Sequence, residues 1–423
     1  MEKIREKLIS LDFWQKKLVW YKTIILKPIY QKYIVPRKVR NIREKEVIRV
    51  LFVLHELGSW KTENLYLAMR HHPRFDARLL LVSSKEKYSY DIIRKYIEEK
   101  EYPYETLKTG ESIKKTLHPD IIFYGKPYVG ILPWRIFFAN NLYALFCNVM
   151  YSFRNRNSPH LKKIVYSKFV WQEYVENDKI IEEKRNIQKV DVGNLVNTGL
   201  PVMDVLLLDK SHFEDPWMLS SMPKKRIIYA PHHTLDTETV KFRSPFHYAT
   251  FLDYADFMLE MAEKYKDKVQ WAFKPHPLLR SKLYKVWGAE KTDAYYHQWN
   301  YMDNGQIEEG EYWGLFKHSD AMIHDCGSFK LEYLYTGNPV MYLMKKNPEY
   351  DYENWQTERA LELHYKGHSK ADVEQFIINV IESKDPMENK RKDFVDEYLT
   401  PPNGKSACDN IINAILGKEE YIS

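Results

Sequence analysis

The sequence predicts an α/β protein built from two doubly wound domains. At 423 residues the chain is too long for one ordinary α/β core. Short apolar segments, of the kind that form buried parallel strands, alternate with segments of helical periodicity. This alternation runs twice along the chain and restarts between residues 205 and 220. We therefore expect two Rossmann-like domains, residues 46–210 and 211–423, that face one another across a cleft.

The first domain is expected to follow a βαβαβ order. Its first strand is the apolar run VIRVLFVLH, Val47–His55, and a Gly-containing loop joins it to a helix that begins near Thr62. The remaining predicted elements are strands at Ala77–Ser83 and Asp120–Tyr124, a helix at Tyr90–Lys100, and weaker strand signals at Lys163–Val165 and Leu195–Thr198. Gly199-Leu200-Pro201 marks the end of this half.

The second domain repeats the same order. Its predicted elements are strands at Arg226–Ala230, Val269–Phe273, Ala321–His324 and Val340–Leu343, a long helix at Phe251–Tyr265, a polar insertion rich in Tyr and Trp, and a helix from Phe329. No GxGxxG or GxxxxGKS/T pattern follows any strand. The sequence therefore favours neither a dinucleotide-binding domain nor a P-loop NTPase.

Residues 1–45 form a basic amino-terminal arm. They hold 13 Lys and Arg against 4 Asp and Glu, whereas the rest of the chain holds 51 against 54. A nucleic-acid-binding body would carry its Lys and Arg across the folded surface, so we expect no nucleic acid as a partner. Apolar side chains recur at steps of three or four, which predicts an amphipathic helix: Ile4, Leu8, Leu11, Trp14, Leu18, Tyr21 and Ile25.

Two interpretations of the arm are open. Basic side chains and amphipathic rings suit docking on an anionic membrane surface, and the rings are Trp14, Trp20, Tyr21 and Tyr30. The same apolar stripe would also suit packing on the body of the protein or on a second subunit. Pro28 and Pro36 interrupt the helical pattern, and the charged stretch Arg37–Glu46 then leads into the first strand.

The cysteines and the apolar runs indicate in which cellular compartment the protein works. Cys147, Cys326 and Cys408 lack the spacing of a disulfide framework or a zinc site. No run of 18 apolar residues occurs, and the first thirty residues lack the features of a signal peptide. We expect a cytoplasmic protein, peripherally associated with the inner face of the cell membrane, that uses neither a cofactor nor a metal.

Polar loops follow three strands of the second domain. Pro231-His232-His233-Thr234 follows RIIYA, Lys274-Pro275-His276-Pro277 follows VQWAF, and Asp325-Cys326-Gly327-Ser328 follows AMIH. Because a doubly wound sheet binds ligands outside the carboxyl ends of its strands, we expect these loops to converge on one ligand. Their donors and titratable groups suit the diphosphate of a nucleotide.

Individual residues of these loops have expected roles. Two prolines fix the backbone around His276, and Lys274 lies two residues away, so both can stabilise a leaving phosphate. Gly327 and Ser328 precede a helical stretch whose amides would bind phosphate, and Ser328 also suits a helix cap. Glu332 either accepts hydrogen bonds from a ribose or complements the helix dipole.

The segments YAPHHT, FKPHP and SDAMIHDCGSFKLEYLYTGNPVMYL resemble, in order and spacing, the carboxyl-terminal domain of CDP-glycerol glycerophosphotransferases, which prime or polymerise teichoic acids and related capsules. LVNTGLPVMD is similar to that family's glycine-leucine-proline segment. The likeness covers about residues 47–385 and is strongest over 226–343. It implies a GT-B fold without a required metal, an essential His276 near the donor diphosphate, and donor binding by Ser328 and Glu332.

Two features depart from that family. His232 replaces the threonine of its Ala-Pro-Thr loop, and its Trp-His-Gly motif, which holds a second catalytic histidine, has no counterpart because the matching stretch reads ALFCNVMYSF. The candidate general bases are His232, which we favour, His233, and the first-domain pair His55-Glu56.

The expected reaction is attack of a polymer or lipid-linked hydroxyl on the β-phosphate of a CDP-alditol, with CMP as the leaving group. The first domain would hold the acceptor and the second the nucleotide donor. One alternative keeps the fold but uses a nucleotide sugar in capsule or surface polysaccharide synthesis. Another is a non-catalytic scaffold of a capsule assembly complex.

Overall fold

The computed structural model describes residues 17–18, 21, 25–83, 87–108, 110–125, 132–133, 136–150, 152–154, 169–186, 192–235, 249–345 and 353–418. The chain divides into two compact units. The first comprises Met1–Asp204 together with Pro401–Ser423, and the second comprises Val205–Thr400. The expected ranges 46–210 and 211–423 are therefore wrong for the end of the chain, because the last helix packs in the first unit.

The first unit contains a seven-stranded parallel sheet in the order β3-β2-β1-β4-β5-β6-β7. The strands are β1 (Ile48–Leu54), β2 (Phe75–Leu81), β3 (Tyr104–Glu105), β4 (Ile121–Tyr124), β5 (Leu145–Val149), β6 (Gln172–Val175) and β7 (Leu195–Asn197). The helices are α1 (Val35–Glu44), α2 (Glu63–His71), α3 (Lys87–Glu99), α4 (Ile113–Thr116), α5 (Asp178–Asn186), α6 (Pro201–Leu207) and, at the end of the chain, α15 (Ala407–Leu416).

The second unit contains a six-stranded parallel sheet in the order β10-β9-β8-β11-β12-β13. The strands are β8 (Lys225–Ala230), β9 (Val269–Phe273), β10 (Gly305–Ile307), β11 (Ala321–His324), β12 (Val340–Leu343) and β13 (Tyr365–Gly367). The helices are α7 (Phe251–Lys264), α8 (Leu279–Val286), α9 (Ala289–Tyr301), α10 (Trp313–Lys317), α11 (Phe329–Glu332), α12 (Trp355–Glu362), α13 (Lys370–Ile381) and α14 (Glu388–Phe394).

Apolar strands covered on both faces build the cores of both units. Every residue of β5, β9, β11 and β12 is buried, which is the pattern of parallel strands with helices on each side of the sheet. In the second unit, aromatic side chains of β9 and α9 fill the core. The ring of Phe273 stacks on Trp299 at a centroid distance of 5.3 Å. This rigid layer supports the carboxyl end of β9.

The arm does not end at its prolines. Residues 25–29 are helical, a π-helical turn follows at Tyr30–Ile34, and Pro36 lies in the first turn of α1. The expected interruption at Pro36 is therefore wrong, because the π-helical turn directly before it accommodates a residue that has no N–H to donate. Trp14 and Trp20 lie outside the described residues.

Tyr30 packs on the body of the first unit and is fully buried. Its hydroxyl donates to the carbonyl of Ala144 at 2.8 Å, and its ring stacks on Phe146 at 5.8 Å. The expectation that Tyr30 lies at a membrane boundary is wrong. Among the described helices, none combines the length and apolar character needed to span a bilayer.

The chain returns to the first unit at its end. The carboxylate of Asp204 accepts the amide hydrogen of Cys408 at 2.9 Å, so it caps the amino terminus of α15. Gly199 adopts a positive φ of 73°, and a Cβ there would lie 3.0 Å from side-chain carbons of Pro401. The glycine is therefore required both by its backbone conformation and by the returning chain.

Candidate functional site

The three polar loops of the second unit lie at the carboxyl ends of neighbouring parallel strands. Strand β8 pairs with β9 on one side and with β11 on the other. The chain moves from β8 outwards to β10 and then resumes at β11 on the opposite side. Ligands of doubly wound sheets bind at such a switch point. The loops Pro231–Thr234 and Asp325–Ser328 therefore flank it, and Lys274–His276 lies one strand away.

Hydrogen bonds join the three loops to one another. The amide of His276 donates to the carbonyl of Pro231 at 3.1 Å. The carboxylate of Asp325 accepts the amide hydrogen of His232. The expected convergence of the loops is therefore observed.

Three imidazole rings meet where the loops converge. The ring centroids of His233 and His276 lie 4.0 Å apart, those of His232 and His233 lie 4.3 Å apart, and those of His232 and His276 lie 5.1 Å apart. All three side chains are partly buried. The structure thus brings the three sequence-predicted histidines into one cluster, which we call the histidine cluster.

Donors outside the histidine cluster fix the tautomers of two of its members. The amide of Leu278 donates to Nδ1 of His276 at 3.1 Å, and Lys282 Nζ lies 2.8 Å from Nδ1 of His233. The ammonium group has only hydrogens to offer, so Nδ1 of His233 must be the acceptor. A neutral imidazole that accepts at Nδ1 carries its proton on Nε2. His276 and His233 therefore each present an N–H donor.

His232 differs from its two neighbours. Its Nδ1 lies 3.0 Å from Oγ1 of Thr234, which also accepts the amide hydrogen of Ala249 at 3.2 Å. A hydroxyl can donate to Nδ1 or accept from it. Both neutral tautomers of His232 are consequently available, and one of them leaves a lone pair on Nε2. Thr234 is itself buried, so we assign it to holding the His232 ring in place.

Burial lowers the pKa of each imidazole in the histidine cluster. For His232 burial, together with the charge that His233 can carry, lowers the pKa to about 2. For His233 burial, together with the nearby charge of Lys282, lowers the pKa to about 4. For His276 the pKa is lowered to about 3, with His233 as the next cause. All three rings are neutral at pH 7. An anion bound among them would favour the charged forms and raise these pKa values.

The spacing of the histidine cluster is compatible with a metal ion, since one ring nitrogen of each histidine lies within 4.8 Å of the others. A metal-ligating histidine normally donates a hydrogen bond from its other ring nitrogen. In His276 and His233 Nδ1 accepts a hydrogen bond, from Leu278 and Lys282, so Nε2 carries the proton of the neutral ring. A protonated Nε2 can donate to an anion and cannot ligate a metal ion.

Tyr312 connects two further predicted site residues. The ammonium group of Lys274 lies 5.3 Å from the centre of the Tyr312 ring and 3.1 Å from the carbonyl oxygen of Gly310. The Tyr312 hydroxyl donates to Oε2 of Glu332 at 2.6 Å. Lys274 and Glu332 are both buried. The structure thus links the loop after β9 to α11 through one tyrosine.

Asp325 holds the loops in place. It is fully buried, and its carboxylate accepts from both the amide and the hydroxyl of Thr250, at 2.6 and 3.0 Å. Burial raises its pKa to about 6, and the hydrogen bonds from Thr250 and His232 oppose that rise. These bonds let Asp325 hold the loops in position, and its contact with the substrate stays a prediction.

The helix after Gly327-Ser328 is shorter than expected. Helix α11 has a single turn, Phe329–Glu332, and a 3₁₀ turn continues it to Thr336. The Ser328 side chain makes no capping hydrogen bond to it. The cap interpretation of Ser328 is therefore wrong, and a one-turn helix contributes little dipole to anion binding. The amides and the hydroxyl of Gly327 and Ser328 remain candidate donors at the switch point.

The first-unit candidates also lie at strand ends. His55 directly follows β1, is buried, and has Nε2 4.0 Å from the carboxylate of Glu56. The stretch ALFCNVMYSF, which matches the family's Trp-His-Gly region, contains strand β5. It supplies no histidine.

Sequence reasoning missed three residues of the site: Lys282, Thr250 and Tyr312. Lys282 lies in the first turn of α8, only six residues after His276. A lysine so close to a predicted phosphate-binding loop is the sequence signal that could have identified it. Thr250 precedes α7 and resembles an ordinary helix start. Tyr312 belongs to the polar insertion rich in Tyr and Trp, whose composition alone does not indicate a role.

Comparison with solved structures places the fold. A variant of the wall teichoic acid polymerase TagF aligns with 14% identity and a TM-score of 0.59 over 96% of this chain and 98% of that one. The variant soaked with CDPG aligns with 15% identity and a TM-score of 0.56 over 96% and 100%. UDP-GlcNAc 2-epimerase from Neisseria meningitidis, bound to UDP-GlcNAc, aligns with 13% identity and a TM-score of 0.57 over 87% and 99%. The expected GT-B-type fold is confirmed.

Comparison of the sequence identifies the family. No curated protein sequence matches the chain significantly. A model of the family described as CDP-Glycerol:Poly(glycerophosphate) glycerophosphotransferase matches residues 157–417, which is more than half of the chain and includes all three loops of the site. The chain belongs to the CDP-glycerol:poly(glycerophosphate) glycerophosphotransferase family.

Proposed function

We propose that this chain transfers an alditol phosphate, glycerol phosphate or similar, from a CDP-linked donor to a hydroxyl group of a cell-surface polymer or lipid-linked acceptor. Family membership supports the reaction class. The observation that carries the assignment to residues is the histidine cluster, in which His276 and His233 lie side by side at the switch point of the sheet and each carries an N–H donor on Nε2. Such a point suits the diphosphate of the donor.

The donor diphosphate would lie among preorganised positive charge. Nε2–H groups of His276 and His233 would donate to its oxygens, and the ammonium group of Lys282, behind His233, adds a nearby charge. Gly327 and Ser328 would donate from the other side of the switch point. Positioning and charge stabilisation of this kind supply most of the catalysis in phosphoryl transfer.

The chemical step balances without further reactants. The acceptor hydroxyl oxygen forms a bond to the β-phosphorus, the bond between that phosphorus and the bridging oxygen breaks, and CMP leaves with the electron pair. The hydroxyl proton must pass to a base. Charge grows on the leaving CMP, where N–H donors of the histidine cluster stabilise it.

His232 is the best base among the three histidines. His276 and His233 are held with Nε2 protonated by Leu278 and Lys282, so neither offers a lone pair on that atom. Nδ1 of His232 lies beside the hydroxyl of Thr234, which permits the tautomer with an unprotonated Nε2. Its lowered pKa would rise beside a bound diphosphate, which brings it closer to the working range of a general base.

A donor panel tests the proposed function. CDP-glycerol, CDP-ribitol and nucleotide sugars would each be incubated with the purified full chain and an acceptor, and the released nucleotide would be measured. We expect CMP release from a CDP-alditol. Turnover with a nucleotide sugar alone would refute the proposal and establish the glycosyltransferase alternative, and full polymer synthesis in cells carrying His276→Ala would establish the scaffold alternative.

We also propose that the arm docks on the anionic inner face of the membrane. Exposed apolar side chains recur at steps of three or four before and beside the buried Tyr30: Leu18, Tyr21, Ile25, Ile29 and Tyr33. Their exposed fractions run from 47% to 63%, and basic residues of the arm accompany them. An apolar stripe with neighbouring Lys and Arg suits an interfacial helix on anionic lipid.

Co-sedimentation with lipid vesicles tests this docking. The full chain should bind vesicles that contain phosphatidylglycerol, and not vesicles of phosphatidylcholine. The variant Leu18→Glu/Ile25→Glu should lose that binding, whereas the control Leu219→Glu, on a side chain 99% exposed in the second unit, should not. Unchanged vesicle binding of the double variant would contradict membrane docking. So would a wild type that is a dimer in solution and a double variant that is a monomer.

A further inference from the structure

We infer that His324 is a positioning residue that holds the turn Asp325–Ser328 in the conformation needed for the donor diphosphate. The inference rests on the proposed function, since it assigns a ligand to that turn. His324 is the last residue of β11 and is fully buried. It lies directly before the turn, and no role has been assigned to it above.

A side-chain hydrogen bond ties the turn to His324. The amide of Cys326 donates to Nδ1 of His324 at 3.1 Å. This bond fixes the direction of the peptide unit between Asp325 and Cys326. In the same way, the Asp325 carboxylate fixes the amide of His232 in the loop after β8. Gly327 follows at once and has no side chain to restrain the backbone. The Nδ1 atom of His324 therefore decides where the next amides point.

The tautomer of His324 follows from that bond. Because Nδ1 accepts, the neutral ring carries its proton on Nε2. The neighbouring His364 has the opposite tautomer, since its Nδ1 donates to the carbonyl of Ala360 at 2.7 Å. The two rings lie edge to face with centroids 5.4 Å apart. Among the described residues, neither Nε2 atom has a hydrogen-bond partner.

Fold stability alone does not account for a histidine at this position. A buried polar nitrogen without a partner destabilises the folded state, and an aliphatic side chain would fill the end of β11 without that cost. What an aliphatic side chain cannot supply is an acceptor for the Cys326 amide. A histidine at position 324 therefore lowers the stability of the fold, and this loss is accounted for if the histidine holds the turn for ligand binding.

The surroundings keep His324 in the neutral form that accepts. Burial lowers its pKa well below the usual value, and His364 and Lys330 lower it further. Lys330 is buried in α11, pairs with Glu353 and lies 4.6 Å from the centre of the Tyr342 ring. A proton on Nδ1 would break the bond to Cys326.

Two substitutions separate the acceptor from the rest of the ring. In His324→Asn the side-chain oxygen takes the place of Nδ1 and keeps the bond to Cys326. In His324→Gln the amide takes the place of Nε2 and the acceptor beside the turn is lost. Both variants replace a buried ring with a smaller side chain, so their Tm values report a common packing defect. His318→Asn serves as a matched control on a partly buried histidine before β11.

The readouts are the Kd for CDP, the KM and kcat for CMP release, and deuterium exchange of the Cys326 and Gly327 amides. We expect His324→Gln to raise the Kd and KM about tenfold and to speed exchange, with kcat changed less. His324→Asn should stay close to the wild type, as should His318→Asn. Equal behaviour of the Asn and Gln variants, or wild-type exchange in the Gln variant, would overturn the inference.

The outcomes also separate this inference from the proposed function. If the wild type binds CDP but releases no CMP from any CDP-alditol, the proposed reaction fails and the Kd and exchange data still decide the role of His324. If the wild type does not bind CDP, the turn is not a donor site and both fail.

Discussion

Substitution of His276 tests the donor geometry most directly. The Leu278 amide occupies its Nδ1 at 3.1 Å, so the neutral ring offers one N–H group, on Nε2. His276→Gln keeps an N–H group close to that position, whereas His276→Ala removes it. A hydrogen bond to a charged group contributes about 1.5–3 kcal/mol, which corresponds to roughly 10- to 150-fold in kcat/KM. We expect that loss in the Ala variant and its partial recovery in the Gln variant.

The assay is CMP release from CDP-glycerol, measured over a range of donor concentrations. His297→Gln is a matched control, because His297 is exposed on α9 and stacks on Tyr301, outside the histidine cluster. Tm values of all variants confirm that each is folded. If His276→Gln is as slow as His276→Ala at equal Tm, then His276 transfers a proton, and the reasoning from its tautomer is refuted.

Three further predictions concern the donor site, the fold and the linkage of protons to stability. Tyr312→Phe removes the hydroxyl that donates to Glu332, and it should raise the KM for the CDP-linked substrate several-fold in the same CMP assay. An unchanged KM would contradict a role of the Tyr312–Glu332 hydrogen bond in substrate binding. Gly199→Ala should lower the free energy of unfolding by about 1–2 kcal/mol in urea, and by more than Gly110→Ala, which shares the positive φ but has open space around it. Folding lowers the pKa of His233 from 6.5 to about 4, so between these pH values the unfolded chain binds a proton at His233 and the folded chain does not. The Tm should therefore fall as the pH is lowered from 6.5 towards 4. In His233→Gln the Tm should fall less over the same range.

The strands that build the site could be predicted because they are short apolar runs with no competing pattern. Arg226–Ala230, Val269–Phe273 and Ala321–His324 match β8, β9 and β11 to within one residue. Their order along the chain, together with the rule for doubly wound sheets, was enough to predict that the three loops meet. Chemistry-bearing residues directly after a buried strand are thus a strong local signal.

Other features depend on contacts that no local pattern encodes. No strand is predicted at β5, LFCNV, because that stretch was matched only to the family motif that it lacks. The expected strand at Lys163–Val165 lies outside the described residues. The roles of Lys282 and Thr250 follow from hydrogen bonds to His233 and Asp325, which are far from them in sequence. The orientation of an imidazole depends on such partners and cannot be deduced from its position alone.

The return of the chain at Pro401 has a consequence for biosynthesis. The segment of the second unit, Val205–Thr400, is continuous, whereas the first unit needs a helix encoded after it. During translation, the later unit can complete its fold while the earlier one still awaits α15. A ribosome stalled before residue 401 would therefore leave the amino-terminal sheet exposed to proteases and chaperones, although every one of its strands had already emerged.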